Sequence, residues 1–545
     1  MFPLILSFVV FFSFQVAVAE EHLPATEAKP TTLMSGLGQH HHPIATTNSE
    51  AQRFFDQGFA LVYGFNHDEA VRSFQRAAEL DPQAVMPLWG IALALGPNIN
   101  LDVDPAREKA AYEAVQKALT LATQAPENER AYITALAKRY SIDAKPDLKK
   151  LAVDYKNAMG ELVKRYPDDL DAATLYAESA MDLRPWQLWS LAGKPAPGTQ
   201  EIVAVLESVL ARDPYHPGAN HYYIHVMEAS PYPERALPSA ERLNTLVPAA
   251  GHLVHMPAHI YMRTGDYAAA AKSNAAAAEV DRVYIHSTGV QGVYPLMYYG
   301  HNLHFLCAAQ AMQGRFADAK QAADQLAELI AAAVKEMPMV EFFLSTPTLV
   351  LLRFQRWNDI LQAPAPDPNL PITNLTWHFA RGVAYAATGD RQNAETERKA
   401  FASAEKALPA DTLFSATNKS GPVLRLAATV LDARIAAAKG ERKQAVAYWR
   451  KAVAAQDALA YDEPPAWYFP VRESLGGVLL LDGQYGEAEK VFREDLKRNP
   501  RNGRSLFGLL ESLKAQKKMV DAGWVQKELA AAWQNADTQL RVEDL

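Results

Sequence analysis

The sequence has little of what several common functional classes require. Its single cysteine, Cys307, excludes an intrachain disulfide framework and any cysteine-rich zinc module. It contains no run of lysine or arginine and carries a net charge of −8, so we expect no nucleic acid as a partner. It also has no Ser-His-Asp order, no glycine-rich phosphate loop and no His-Glu-x-x-His motif. The familiar catalytic signatures therefore give no function.

The N-terminus has the pattern of an export signal. An apolar run at residues 4–16 precedes Ala17-Val18-Ala19, a small-x-small cleavage site. We expect residues 1–19 to be a cleaved signal peptide and the mature protein to be periplasmic. The segment has no basic residue, so an uncleaved anchor is the alternative. The run is shorter than the roughly 20 residues of a spanning helix, and no later stretch is apolar enough, so no stable membrane insertion is expected after cleavage.

Residues 20–48 lack helical periodicity, and an extended N-terminal tail is predicted. Its run His40-His41-His42 is either solvated or folded back onto the body of the protein as further ligands. Cleavage after Ala19 would place His22 third in the mature chain. A free amine, two amides and that imidazole can bind Cu(II) or Ni(II) in a square plane. His22 is therefore an accessory metal candidate, unless it is incidental in a mobile tail.

From residue 50 the chain is helical and repeats with a period of 34 residues. Counting Ala51 as the first position, Gly58 is eighth, Ala70 twentieth and Phe74 twenty-fourth. Small residues at the eighth and twentieth positions let two helices approach, and large ones fill the gaps. This register resembles the tetratricopeptide repeat, a helix–turn–helix unit. The resemblance implies an all-α fold, a tetratricopeptide-repeat solenoid or α-α superhelix.

The register organises most of the chain. We predict one repeat array at 49–362 that carries the histidines, a second at 372–536 and a C-terminal tail at 537–545. The period is interrupted by insertions at 96–104, 184–198 and 282–299, and long loops of repeat arrays usually lie on a working face. Helix A of several repeats is predicted to end in a left-handed cap at a glycine, namely Gly265, Gly314, Gly389, Gly440 and Gly483.

Nine of the 15 histidines lie between His216 and His304, and they follow the repeat. His221 and His225 recur 34 residues later, and the same spacing of three or four residues continues along helix A of each unit. Such steps place the side chains on one stripe of the helix. In the tetratricopeptide family this stripe lines the concave groove. The groove positions are the second (His252, His301), the fifth (His221, His255, His304), the ninth (His225, His259) and the twelfth (Glu228).

Imidazoles one turn apart on neighbouring helices are typical of helical metal sites. We therefore expect a transition metal ion, either zinc, copper or iron, in the groove. The alternatives are a polar groove for an acidic or peptide ligand and a structural hydrogen-bond network. Glu178, Asp182 and His67 are accessory candidates. The predicted ligands are His221, His225, Glu228, His252, His255, His259, His301 and His304.

The motifs His-Tyr-Tyr-Ile-His-Val-Met-Glu and Gly-His-Leu-Val-His-Met-Pro-Ala-His resemble those of uncharacterised exported bacterial tetratricopeptide proteins, which implies no activity. Two hypotheses remain. One is an exported metalloprotein, with hydrolytic or oxidative catalysis as its extension. The other is a scaffold that binds a peptide or protein in the groove without catalysis. An enzyme requires an open metal position in a narrow cavity, and a scaffold requires an open groove with dispersed basic residues.

Overall fold

The computed structural model describes residues 31–467 and 469–545. This part of the chain is an all-helical fold of tetratricopeptide type, in which consecutive helices pack as pairs. It contains no strand, only three isolated bridges. None of its helices has the length and hydropathy of a membrane span. The expected signal peptide at 1–19 and the candidate His22 lie outside the described residues.

Most of the helices follow one another with short connections. In chain order they are α1 (Ser49–Tyr63), α2 (His67–Leu80), α3 (Met86–Leu95), α4 (Pro105–Leu121), α5 (Glu127–Leu136), α6 (Leu148–Arg165), α7 (Leu170–Met181), α8 (Thr199–Arg212), α9 (Pro217–Glu228), α10 (Leu237–Leu246), α11 (Gly251–His255), α12 (Pro257–Thr264), α13 (Tyr267–Thr288), α14 (Gly300–Met312), α15 (Phe316–Ala331), α16 (Thr346–Arg353), α17 (Trp357–Gln362), α18 (Pro371–Ala387), α19 (Arg391–Ala407), α20 (Ser420–Ala438), α21 (Arg442–Asp457), α22 (Val471–Leu481), α23 (Tyr485–Arg498), α24 (Gly503–Ala515) and α25 (Met519–Ala532).

The small residues of the repeat receive aromatic rings from the partner helix. Phe74 of α2 lies between Gly58 of α1 and Gly90 of α3, where a Cβ would come within 2.7 and 2.6 Å of its ring. Near the other end of the chain, Phe492 of α23 occupies the same place between two glycines of α22 and α24. Only glycine leaves room for so close an approach. The eighth and twenty-fourth positions therefore form one repeating contact.

The turn glycines predicted as left-handed caps are confirmed, because all five have φ between 73° and 84°. Three repeats place another residue at this position and still adopt a positive φ: Phe65 at 54°, Gln355 at 54° and Lys517 at 61°. A bulky residue is strained in this region. Phe65 is the buried one of the three, and it lies beside the histidines.

The insertion at 282–299 was predicted as a loop, but most of it is helical. α13 runs on through its first half, since no helix breaker appears before Gly289, which ends the helix at φ 72°. A π-helical turn, Tyr294–Tyr299, then leads directly into α14. Insertion of a π turn changes the direction of the side chains that follow it. It therefore affects where His301 points.

Residues 31–48 contain no helix and pack on the body of the protein. The amide of Met34 donates to Gln57 Oε1 at 2.7 Å, and the amide of Ala249 donates to the carbonyl of Gly36 at 2.9 Å. Leu37 and His42 are buried. Of the two alternatives for the histidine run, the structure shows the one that folds back.

The second half of the chain returns to the first. One apolar core runs from Leu37 to Ala309 and another from Leu352 to Leu545. The two halves meet where Tyr267 donates its hydroxyl to the carbonyl of Pro500 at 2.9 Å. This return brings the connection between α21 and α22, which contains Glu463, against α12.

Candidate metal centre

Four helices carry the groove histidines. Helix α9 carries two of them and ends at Glu228. The next histidine-bearing segment is divided at Met256 into α11 and α12, because Pro257 has no amide hydrogen to continue the ladder. Helix α14 begins next to the π turn and carries the last two. Six of these seven imidazoles form one continuous cluster across the neighbouring helices, and five of the six are buried.

The cluster divides into two groups of three, which we name triad A (His221, His225 and His252) and triad B (His255, His259 and His301). In each triad the three residues offer nitrogen atoms that all lie within 4.8 Å of one another. Ring centroids within a triad are as close as 4.8 Å in triad A and 4.7 Å in triad B. Between the triads, the His252 and His255 centroids are 5.8 Å apart.

Triad A has its outer nitrogens held by fixed acceptors. His221 donates Nδ1–H to the carbonyl of Tyr63 at 2.7 Å, and His225 donates Nδ1–H to Glu228 Oε1 at 3.0 Å. The Nε2 of His221 then faces the Nε2 of His252 at 3.1 Å. The buried Nε2 of His225 has no hydrogen-bond partner among the described residues. Metal-binding histidines typically show this arrangement, with one nitrogen oriented by an acceptor and the other free for the ion.

Triad B repeats the arrangement. His255 donates Nδ1–H to Asn274 Oδ1 at 2.6 Å. The Nδ1 of His259 lies against a carboxylate oxygen of Glu228 and 3.3 Å from one of Glu463. Both residues therefore direct Nε2 inward, towards the half-buried His301.

The Nε2 atoms of His255 and His259 cannot both lack a hydrogen or a metal ion. The Nε2 atoms of His255 and His259 are 2.7 Å apart, and acceptors already face both Nδ1 atoms. Two neutral rings with Nδ1–H would therefore point lone pairs at each other. Either a hydrogen on the Nε2 of one ring, for which His259 is the candidate, or a metal ion must therefore lie between them.

Glu228 belongs to both triads. Its Oε1 accepts from His225 of triad A, and its Oε2 contacts His259 of triad B. Burial alone raises the pKa of this carboxyl, but His259 and His225 outweigh burial and lower it, so Glu228 is ionised. Glu228 is among the predicted ligands, and in the structure its two oxygens face the Nδ1 atoms of His225 and His259, which are the contacts of an orienting group.

Burial keeps most of the cluster uncharged. Desolvation lowers the pKa of four imidazoles well below the usual range, and the neighbouring histidines lower it further. Neutral imidazole is the form that binds metals. His259 is the exception: burial lowers its pKa, but Glu228 and Glu463 reverse this and raise it to about 10. The four neutral residues are His221, His252, His255 and His301.

A cavity of about 1150 Å³ adjoins the cluster. Trp186, Phe305 and Glu463 line it and also contact the histidines, so they separate the cavity from the two triads. Trp186 comes from the insertion at 184–198, which thus faces the site as expected of a long insertion. Sequence reasoning missed Glu463, because it lies in the second array and nothing in the 34-residue pattern marks it.

No protein-family model and no curated protein matches this chain. Among solved structures it is similar to the human IFIT1 dimer with m7Gppp-AAAA, at a TM-score of 0.34 and 14% identity over 90% of this chain and 91% of that one. It is also similar to yeast Tom70, at a TM-score of 0.27 and 13% identity over 90% and 93%. Likenesses this distant carry no argument about ligand, partner or activity.

Two other predicted residues lie apart from the triads. His304 is one turn beyond His301 on α14 and packs its ring against Phe343, with centroids 5.3 Å apart. His67, at the start of α2, faces Asn98, and the ring of Phe65 lies between it and triad A. Burial lowers the pKa of His304 and of His67 to about 4. Both are neutral, and His67 is buried while His304 is half-buried.

The accessory carboxylates face a different partner. Asp182 forms a buried ion pair with Arg139, with Nη2 and Oδ2 2.6 Å apart. Glu178 lies one turn before Asp182, and burial and that carboxylate raise its pKa well above the usual value. Arg139 also donates to the carbonyl of Pro97 at 3.0 Å. Among the described residues, neither carboxylate belongs to a group that could hold a metal with the triads.

A second cluster of histidines surrounds Asp171. Its carboxylate accepts from His40 at 2.9 Å, from His42 at 2.7 Å and from the hydroxyl of Tyr63 at 2.6 Å, and His216 Nε2 lies 3.2 Å away. His216 accepts the amide of Ala219 on Nδ1, so its Nε2 carries the hydrogen and has no lone pair for an ion. We interpret this cluster as a hydrogen-bond hub that holds residues 31–48, not as a metal site.

Proposed function

We propose that this protein is an exported metalloprotein that binds a transition metal in the histidine cluster of triads A and B. The observation that carries the proposal is that Nε2 atoms face one another within each triad while acceptors hold the Nδ1 atoms of four histidines, namely His221, His225, His255 and His259. Three imidazoles, two of them with an oriented outer nitrogen, suit zinc, iron or copper. Export rests on the pattern of residues 1–19 and is part of the proposal.

A purely structural hydrogen-bond network explains the cluster less well. Such a network satisfies its buried polar atoms, whereas the Nε2 of His225 is buried without a partner among the described residues. The contact of 2.7 Å between the Nε2 atoms of His255 and His259 fits either interpretation, because a proton on His259 or a metal ion can lie between them. An ion in triad A would give the Nε2 of His225 the partner that a hydrogen-bond network does not provide.

The neighbouring cavity supports catalysis as an extension of metal binding. A site with three protein ligands leaves a coordination position for water or substrate. Phe305 and Glu463 stand between the triads and a cavity large enough for a small organic molecule. The ion would supply Lewis-acid or redox chemistry, and the residues of this chain would orient the substrate and exclude water.

A peptide or protein ligand is the second candidate function. The cavity lining includes Lys194 and Lys497, which would suit an acidic segment of a partner. This scaffold would require no metal. The expectation that nucleic acid is not a partner rests on charge alone and stays a prediction.

Elemental analysis of protein purified from its native compartment tests the proposal. We expect at least one first-row transition ion per chain and its loss in a variant with both His225→Ala and His259→Ala. A matched control, His41→Ala, changes an exposed histidine outside the cluster and should retain the metal. Protein that is metal-free as isolated and binds no added zinc, iron or copper contradicts the proposal. Sequencing of the mature N-terminus tests export.

A further inference from the structure

We infer that the histidine cluster holds two metal ions, one in triad A and one in triad B. This inference rests on the proposed function and adds the number and position of the ions. Each ion would be a divalent first-row cation bound by three imidazole nitrogens.

Distance excludes a single ion shared by all six residues. Nitrogens bound to one ion at about 2.0–2.1 Å lie at most about 4.2 Å apart. Within each triad the available nitrogens are within 4.8 Å of one another, a separation that small side-chain adjustments can close. Among the described residues, no such group combines members of both triads.

The repeat builds the same site twice. Triad A consists of the fifth and ninth positions of one repeat, His221 and His225, with the second position of the next repeat, His252. Triad B consists of the same positions one unit later: 255 is 221 + 34, 259 is 225 + 34, and His301 is again the second position of the following repeat. Equal positions of successive repeats thus give two sites of the same composition, although the closest Nε2 pair is His221 with His252 in triad A and His255 with His259 in triad B.

The series ends where the sequence loses one of these positions. A third copy would use the fifth and ninth positions of the repeat that begins at Gly300. The fifth is His304, but the ninth is Ala308, which has no ligand atom. His304 accordingly packs against Phe343 instead of joining a third group. The rule therefore accounts for the six clustered histidines and for the one left out.

Each triad also has its own orienting acceptor. The carbonyl of Tyr63 serves triad A, and Asn274 serves triad B. Glu228 is the one acceptor that contacts both. Two dications at neighbouring positions share that single negative charge, and their mutual repulsion is strong in a buried site. We therefore expect the second ion to bind more weakly than the first.

Titration of the metal-free full-length mature protein with Zn²⁺ tests the inference. We expect two ions per chain in wild type and one in either His225→Ala or His301→Ala, which remove a ligand from triad A and from triad B respectively. His304→Ala is the matched control and should keep two ions. Circular dichroism and thermal unfolding show whether each variant is folded.

Other outcomes are distinguishable. One ion per chain in wild type overturns the inference and leaves the proposed function standing. Two ions that persist in both single variants also overturn it, since the sites then lie elsewhere, for example at His259 with Glu228 and Glu463. No Zn²⁺, Fe²⁺ or Cu²⁺ bound by wild type overturns the proposed function itself. Because wild-type stoichiometry alone can decide between one ion and two, a misfolded variant does not remove the test.

Discussion

The ring of Phe65 stacks on the ring of His252, with centroids 5.2 Å apart and planes inclined by 22°. Phe65 adopts a left-handed backbone conformation at a position where other repeats have glycine. Strain of this kind persists where the surroundings enforce it, often at functional sites. This conformation places the buried ring of Phe65 against triad A, because the ring also contacts His221 and His225.

Replacing Phe65 by glycine should separate strain from packing. The change relieves about 1 kcal/mol of backbone strain but loses about 3–5 kcal/mol of buried aromatic packing. We expect net destabilisation in thermal unfolding and weaker metal binding by triad A. Lys517→Gly is the matched control, because it has the same backbone conformation far from the histidines and should be neutral or stabilising. Equal effects of the two variants would contradict a role for the Phe65 ring.

Glu228→Gln should weaken both metal positions, because its two oxygens face one histidine of each triad. Loss of an orienting acceptor typically lowers metal affinity by about 10–100-fold. The comparison variant is Asn274→Ala, which should weaken triad B alone. Competitive Zn²⁺ titration against a chelator measures both constants. An unchanged pair of affinities in Glu228→Gln would reduce this residue to a buried charge without influence on the ions.

Glu463→Gln should affect only triad B, since Glu463 contacts His259 and no residue of triad A. We expect a smaller loss of affinity than in Glu228→Gln, because Glu228 still faces His259 in this variant. The same chelator competition measures it. A loss at triad A as large as at triad B would show that the return of the second array supports the cluster as a whole.

The hub at Asp171 predicts how the N-terminal segment responds to pH. Burial raises the pKa of Asp171, but the surrounding histidines outweigh it, so the folded pKa is low and its stabilisation is lost only as pH falls through that value, below the unfolded pKa of about 3.9. Burial lowers the pKa of His42, but Asp171 raises it above normal. That stabilisation is complete below about pH 6.5 and is lost as pH rises through the folded pKa.

Residues 31–48 should therefore be held most firmly between about pH 4 and 6.5. Hydrogen exchange of their amides, compared at pH 5.5 and 8 after correction for intrinsic rates, should show greater protection at the lower pH. Asp171→Asn should abolish the difference. Identical protection of the wild-type segment at both values would show that the hub does not depend on the charge of His42.

Helical periodicity was enough to place the stripe of groove histidines, because steps of three and four residues fix which side chains share a helix face. It did not separate His304 from the other histidines, because the contact of His304 with Phe343 depends on packing that periodicity does not describe. The role of Glu463 could not be predicted from the sequence for another reason. Its approach to His259 depends on the return of the second array, a contact more than 200 residues apart in sequence.

The expected fold was predictable to the level of the repeat. Glycine at the eighth position and phenylalanine at the twenty-fourth follow from the space between two helices, as Gly58 and Phe74 show. The path of residues 31–48 could not be predicted, because an extended segment has no periodicity. It is held by side-chain contacts such as that of His42 with Asp171. The extension of α13 to Thr288 was missed because the repeat length suggested an earlier stop.

The most direct test of the central claim is an anomalous-scattering map of crystals grown with Zn²⁺, measured on both sides of the zinc absorption edge. We predict two separate peaks in the cluster, one bounded by His221, His225 and His252 and the other bounded by the three imidazoles of triad B. A map with no peak among these six residues, or with its only peak beside Asp171, would contradict the account.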